Sequence, residues 1–261
     1  MNEAKSCCQR LSGSTLKWIA CISMLIDHTA FLLIGCGVLK TISPDTPAFQ
    51  MWLKLYFTMR CIGRIAFPIY VFLLTEGIVH TSSWKRYAIR LGVFAVLSEL
   101  PFDWMMHTQQ SSVWEDQNVF FTLLIGLITI KSAEFICSTA EKTDERLQLF
   151  FWLAATAAGC ITAELMNTDY SYIGVILAVL LYLYRKDRQK QSIFGFLWKL
   201  CHVGRTSYIL GTAAAFLLIH AYNGQKGSSA GKYLFYGFYP AHILLLCLLY
   251  QILFAGSFLQ T

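Results

Sequence analysis

Arg60-Cys61-Ile62-Gly63-Arg64-Ile65-Ala66-Phe67-Pro68-Ile69-Tyr70-Val71-Phe72-Leu73-Leu74-Thr75-Glu76-Gly77 is apolar enough to lie in a bilayer, yet it carries two arginines one helical turn apart. Residues at i and i+4 share a helix face, so Arg60 and Arg64 point the same way. A charged side chain near the bilayer centre costs about 2.5–3.5 kcal/mol on insertion scales. Two such charges on one face are tolerated when groups inside the protein meet both guanidinium groups. Pro68 has no N–H to offer the Arg64 carbonyl, so a kink is expected where the charge sits. Ion pairs that merely hold helices together would explain the arginines. Ionisable groups inside a membrane are also, by default, candidates for function.

The rest of the chain agrees with a membrane reading. Of 261 residues 56% are hydrophobic and only 14% charged, with mean hydropathy +0.51. Soluble domains carry about a quarter charged residues. The apolar runs are continuous and approach the roughly 20 residues that a spanning helix needs, whereas a β-barrel would show short alternating segments. The expected fold is all-α, a polytopic transmembrane bundle forming a single domain over 1–261, in the cell membrane. About eight spans are expected, near 16–39, 52–79, 86–107, 118–138, 147–166, 171–184, 206–222 and 234–255. The apolar stretch 193–203 carries Lys199 and is expected to be an interfacial helix rather than a span. The interrupted first apolar run argues against a cleaved signal peptide.

Charge in the loops sets the expected orientation. Lys5, Arg10 and Lys17 precede or open the first span; Lys85, Arg86 and Arg90, then Lys142 and Arg146, then Arg185, Lys186, Arg188 and Lys190 mark every second loop. The alternate loops are poorer, with Lys40 and Lys54 in one and Lys226 and Lys232 in another. With eight spans, the positive-inside rule places both termini in the cytoplasm and Met106–Gln117, with Glu115 and Asp116, outside. The net charge of +6 therefore reflects topology, not nucleic-acid binding. The nine cysteines show no C-x-x-C pair or metal-ligand spacing and read as small core residues. Cys7 and Cys8, adjacent and near the membrane, lack a lipidation motif. No Walker loop or G-x-G-x-x-G supports a nucleotide fold.

On this topology, polar residues from four spans reach one level between the midplane and the outer surface. Asp27 and His28 lie halfway along the first span, and Arg60 and Arg64 in the outer half of the second. Glu99 and Asp103, again i and i+4, flank Pro101 on the third; Tyr239, Pro240 and His242 lie early in the eighth. The arginines are expected to pair with Glu99 and Asp103 across the second and third spans. A histidine oriented by a carboxylate is equipped for general-base work, which makes His28 beside Asp27 the first candidate and His242 the second. At the cytoplasmic face, Ser82-Ser83 followed by Trp84, Lys85 and Arg86 opens a helix, and such an N-terminus with adjacent bases suits phosphate groups.

Several segments together resemble the TraX family of membrane proteins: Leu16-Lys17-Trp18-Ile19-Ala20 with Met24-Leu25-Ile26-Asp27-His28; Arg60 to Tyr70; Glu76-Gly77; Ser98-Glu99-Leu100-Pro101-Phe102-Asp103; Asn118 to Leu123; Tyr222-Asn223-Gly224; and Phe235-Tyr236 through Phe238-Tyr239-Pro240 to His242. They run in order along nearly the whole chain, loosely over 139–205. The resemblance implies an enzyme similar in role to the acetylase of conjugative pilin, and related to multi-span acyltransferases that take an acyl group from cytoplasmic acyl-CoA. On that reading acetyl-CoA is the donor, with its anionic end on Lys85 and Arg86, and no metal takes part. His28 oriented by Asp27 is the base, Arg64 meets the oxyanion, and Arg60, Glu99, Asp103, Asn118 and Tyr239 bind substrate. The acceptor is a peptide N-terminus, a glycan or a lipid outside the cytoplasm. A proton-coupled transporter built on the same Asp, Glu and His, or a structural membrane subunit, are the alternative functions.

Overall fold

The structure is a computed structural model that describes residues 10–108, 116–139, 144–227 and 232–254, apart from the side chains of His107, Lys232 and Tyr233. Lys5, Cys7, Cys8, Glu115 and Lys142 lie outside the described residues, as does most of the loop Met106–Gln117. Regular structure among the described residues is helical, with isolated bridges at Leu11–Tyr222 and Gln117–Thr168.

The first helix, α1 (Gly13–Thr29), starts where the Ser12 hydroxyl accepts from the Thr15 N–H at 3.2 Å. It continues as a π-helical stretch, Ala30–Val38, and a last α turn, α2 (Leu39–Thr41). Helix α3 (Pro47–Gly63) is capped by Thr46 and has proline at its first position, where no N–H is needed. It closes on two short turns, Arg64 N to Cys61 O and Ile65 N to Ile62 O, before α4 (Ala66–His80) begins. The expected kink is thus a break at Arg64–Ile65, next to Pro68. There follow α5 (Trp84–His107), α6 (Val119–Thr139), α7 (Glu145–Leu165), α8 (Ser171–Leu183), α9 (Arg188–Leu200), α10 (Ile209–His220, entered through a 3₁₀ turn at Thr206–Tyr208) and α11 (Lys232–Phe254). Every expected span coincides with a helix.

Five of these segments are long and apolar enough to cross a membrane: Gly13–Thr41, Pro47–His80, Val119–Thr139, Glu145–Leu165 and Leu234–Phe254. Ser171–Leu183 and Thr206–His220 are shorter apolar helices. The chain is therefore an all-α membrane protein.

The described residues fall into two compact units, one within Met1–Tyr70, Ser98–Val113 and Val203–Thr261, the other within Val71–Leu97 and Trp114–His202. In the first, α1 and α11 run parallel. Trp18 meets Phe235 edge-on at 5.2 Å, His28 meets His242, and the Tyr250 hydroxyl donates to the Cys36 carbonyl at 3.4 Å. Contacts advance together along both helices. By contrast α3 runs against α1, with Tyr56 beside Gly35, Arg60 over Phe31 and Arg64 at Asp27. Helix α10 also runs against α1. It starts beside the end of α3 and ends where Ala221 O accepts from Leu11 N at 3.1 Å.

This corrects the expected topology. Two parallel helices that both cross a bilayer leave it on the same side, so Arg10 and Phe254 fall on opposite faces. Two cytoplasmic termini followed from an even count of spans. The loop after α10 shows the same thing: Gly13 N and Ser14 N bond to Gln225 O and Lys226 O at 2.8 and 3.1 Å. As an outer loop, its lysines were an exception to the charge bias. Bonded to the start of α1, it joins the basic side with Arg10 and Lys17.

In the second unit α6, α7 and α8 pack on one another and α9 packs on α8. Helix α9, expected to be interfacial rather than a span, is not among the segments long and apolar enough to cross a membrane. Gln191 Nε2 donates to Leu181 O at 2.5 Å, Tyr184 stacks on Phe194, and Trp198 Nε1 donates to Ile173 O at 3.0 Å. Helix α9 therefore runs back along the length of α8. Its cations have protein partners: Arg188 pairs with Glu76 at 3.3 Å and Lys199 lies over the Tyr170 ring.

Candidate active site

Midway along α1, Asp27 and His28 leave the helix about 100° apart, because the helix turns once every 3.6 residues. They therefore serve different partners. The Asp27 carboxylate faces α3: Oδ2 accepts from Arg60 Nη1 at 2.5 Å and Oδ1 from Arg64 Nη2 at 2.7 Å. Arg64 also turns Nε back to the Arg60 carbonyl at 3.2 Å, meeting an acceptor that the end of α3 leaves over. The Arg60 and Arg64 guanidinium groups lie over the Phe31 and Tyr208 rings. One acid thus ties down both arginines, and that acid is Asp27 on α1. The expected pairing to Glu99 and Asp103 is corrected accordingly: Glu99 is buried and Asp103 half-buried on α5, and neither is the acid found on this pair of guanidinium groups.

Two glycines, one visible beside Arg64 in sequence, permit the approach. A Cβ on Gly63 would overlap the Asp27 carboxyl, and one on Gly211 would overlap the Cys61 carbonyl. The helices meet at backbone distance around the arginine turn, which only glycine allows. Nothing in the sequence signalled Gly211.

His28 faces α11. Its Nδ1 lies 2.7 Å from His242 Nε2, and the two rings are within 7° of parallel. The expectation that Asp27 orients His28 is corrected: the orienting group is His242. Phe238 stacks on His242 at 4.7 Å, and Tyr239 meets both imidazoles edge-on, at 6.1 and 5.8 Å. Asp27, Tyr239 and His242 are buried, and His28 is partly so. Lower on the same face of α1, Cys21 Sγ lies 3.1 Å from the Tyr70 hydroxyl.

The first unit thus brings together Asp27, His28, Arg60, Arg64, Tyr239 and His242. Asn118, Lys85 and Arg86 belong to the second unit. Asn118 is fully buried there, with Nδ2 donating to Ala95 O at 2.8 Å and Oδ1 accepting from Phe120 N at 3.0 Å, so its amide holds the start of α6. Lys85 and Arg86 are exposed in the first turn of α5, where the Ser83 hydroxyl accepts from Arg86 N. Among the described residues no group of three or more His, Cys, Asp or Glu is arranged to hold a metal ion.

Chemically, the first unit presents a histidine pair beside two fixed guanidinium groups in an apolar bundle: a proton acceptor next to donors for developing negative charge.

Comparison with known proteins agrees with the reach of these elements. A family profile described as "TraX protein" matches residues 12–250. The chain is 28% identical over 260 residues to the "Probable fimbrial assembly protein FimC, serogroup H1" of Dichelobacter nodosus, covering 90% of this chain and 94% of that protein. No solved structure matches.

Proposed function

Because the chain belongs to the TraX family, we propose that it is an acetyltransferase of the cell membrane, moving an acetyl group from cytoplasmic acetyl-CoA to an amine or hydroxyl at the outer side. The observation that carries this reading is the His28–His242 contact in the same unit as an Asp27 carboxylate shared by Arg60 and Arg64. Acyl transfer needs a base for the acceptor's proton and donors for the oxyanion of the tetrahedral intermediate. His28 takes the proton as the acceptor attacks the thioester carbon. A guanidinium that Asp27 has already positioned offers N–H groups to the oxyanion with little reorganisation. Collapse of the intermediate breaks the C–S bond, and the proton passes from His28 to the departing thiolate of CoA.

The similarity to a protein named for fimbrial assembly favours a peptide N-terminus as acceptor. Lys85 and Arg86 remain the candidates for the phosphates of CoA.

The test incubates the purified protein in liposomes with radiolabelled acetyl-CoA and a membrane extract. A labelled acceptor is expected. His28→Ala is expected to cut the transfer rate by about 10²–10⁴-fold, with expression and CoA binding retained. Absence of any labelled acceptor together with absence of CoA binding would overturn the reading.

A further inference from the structure

The acetyltransferase reading names a histidine; the hydrogen bonds name the nitrogen. His242 has both ring nitrogens engaged. Its Nδ1 lies 2.7 Å from the Phe238 carbonyl oxygen, four residues earlier on α11. A carbonyl only accepts, so Nδ1 carries the proton. In a neutral imidazole the second nitrogen is then a bare acceptor. That nitrogen, Nε2, is 2.7 Å from His28 Nδ1, so His28 Nδ1 must be the donor. A neutral His28 with its proton on Nδ1 has its lone pair on Nε2.

We propose that His28 Nε2 is the atom that takes the acceptor's proton, and that His242 is a positioning residue that sets the tautomer and ring plane of His28. The donors run one way, from His28 to His242 to the Phe238 carbonyl. His242 has no free nitrogen with which to act as the base itself, which removes it as the alternative. The hydrogen bond that fixes one imidazole nitrogen decides what the other can do. Proton balance is simple. The acceptor's N–H or O–H bond breaks, and its electron pair forms the new bond to the acetyl carbon. The proton lands on His28 Nε2, and the resulting imidazolium keeps its Nδ1–H on His242 Nε2 in a bond strengthened by charge. The proton then leaves with the CoA thiolate. Tyr239, edge-on to both rings, and Phe238, stacked on His242, hold the pair in register.

The inference rests on the acetyltransferase reading for its chemistry but not for its first test. The full chain is labelled with ¹⁵N-histidine in nanodiscs, with no substrate added, and imidazole tautomers are read near neutral pH. His28→Gln and His242→Gln serve only to assign the signals. The expected result is His28 with Nδ1 protonated and Nε2 bare, and His242 with Nδ1 protonated. Protonation of His28 Nε2, alone or together with Nδ1, would overturn the proposal, whatever the acetylation assay shows.

The second test separates positioning from packing. His242→Glu keeps an acceptor opposite His28 Nδ1 and should retain transfer within about tenfold of the native rate, whereas His242→Leu should lose about 10²-fold or more, as expected when a base loses its orienting group. Both variants should bind CoA like the native protein. Equal losses in the two variants, with CoA binding intact, would show that His242 does no more than pack, and would overturn its positioning role.

Discussion

A carboxylate that serves two guanidinium groups has no good substitute. In Asp27→Asn the amide offers one acceptor oxygen and leaves one arginine facing an N–H₂ group. Breaking a buried ion pair by removing one partner costs about 3–5 kcal/mol. The arginine side chains here are 19% and 23% exposed, which puts the expected loss near the lower end, about 3 kcal/mol. Unfolding in detergent measures it. Arg64→Lys removes a different thing. Arg64 donates through Nη2 to Asp27 and through Nε to the Arg60 carbonyl, and an ammonium on a flexible stem cannot hold both directions. That variant should keep most of its stability and lose most of its acetyl transfer. Full activity in it would remove the guanidinium fork from the mechanism. Each of these residues was visible in the sequence as a polar group inside an apolar run. Their partners were not, because pairing depends on the azimuth at which neighbouring helices meet.

Among the elements, the meeting of α1, α3 and α10 depends on missing side chains. Gly63→Ala places a methyl group in the Asp27 carboxyl and should destabilise by about 1–3 kcal/mol, the usual cost of overpacking. It should also reduce acetyl transfer, because the arginine turn must shift. Gly237, within α11, has nothing within 4 Å of an added Cβ. Gly237→Ala should be neutral or stabilise by about 0.5–1 kcal/mol, from helix propensity alone. Thermal unfolding of the two variants side by side checks the contrast, and equal behaviour would mean that α3 does not approach α1 as closely as described. Helix α9 shows the related point that polar residues on a helix can be met by neighbouring protein groups. Gln191 is buried against the Leu181 carbonyl and Arg188 is held by Glu76.

At the scale of the whole molecule, the parallel course of α1 and α11 makes a prediction about sidedness. In intact cells a membrane-impermeant maleimide should label a cysteine placed at Ser43, in the turn before α3, whereas one placed at Gln225, beside the start of α1, should be labelled only after the membrane is opened. A reporter fused after Phe254 should report from the outside, and one before Arg10 from the cytoplasm. Both reporters on one side would mean that α1 and α11 do not both cross.

The sequence by itself determined that this is a helical membrane protein, where its helices lie, and which few polar residues its interior must accommodate. Those properties follow from local chemistry: run length, apolar content, the missing N–H of proline and the cost of charge in lipid. Only the tertiary structure decided that Asp27 belongs to the arginines and His28 to His242, that α9 folds back along α8, and that α11 runs with α1. Each of these depends on which helices are neighbours and how they are rotated and directed. Hydropathy averages over the faces of a helix and keeps no record of either.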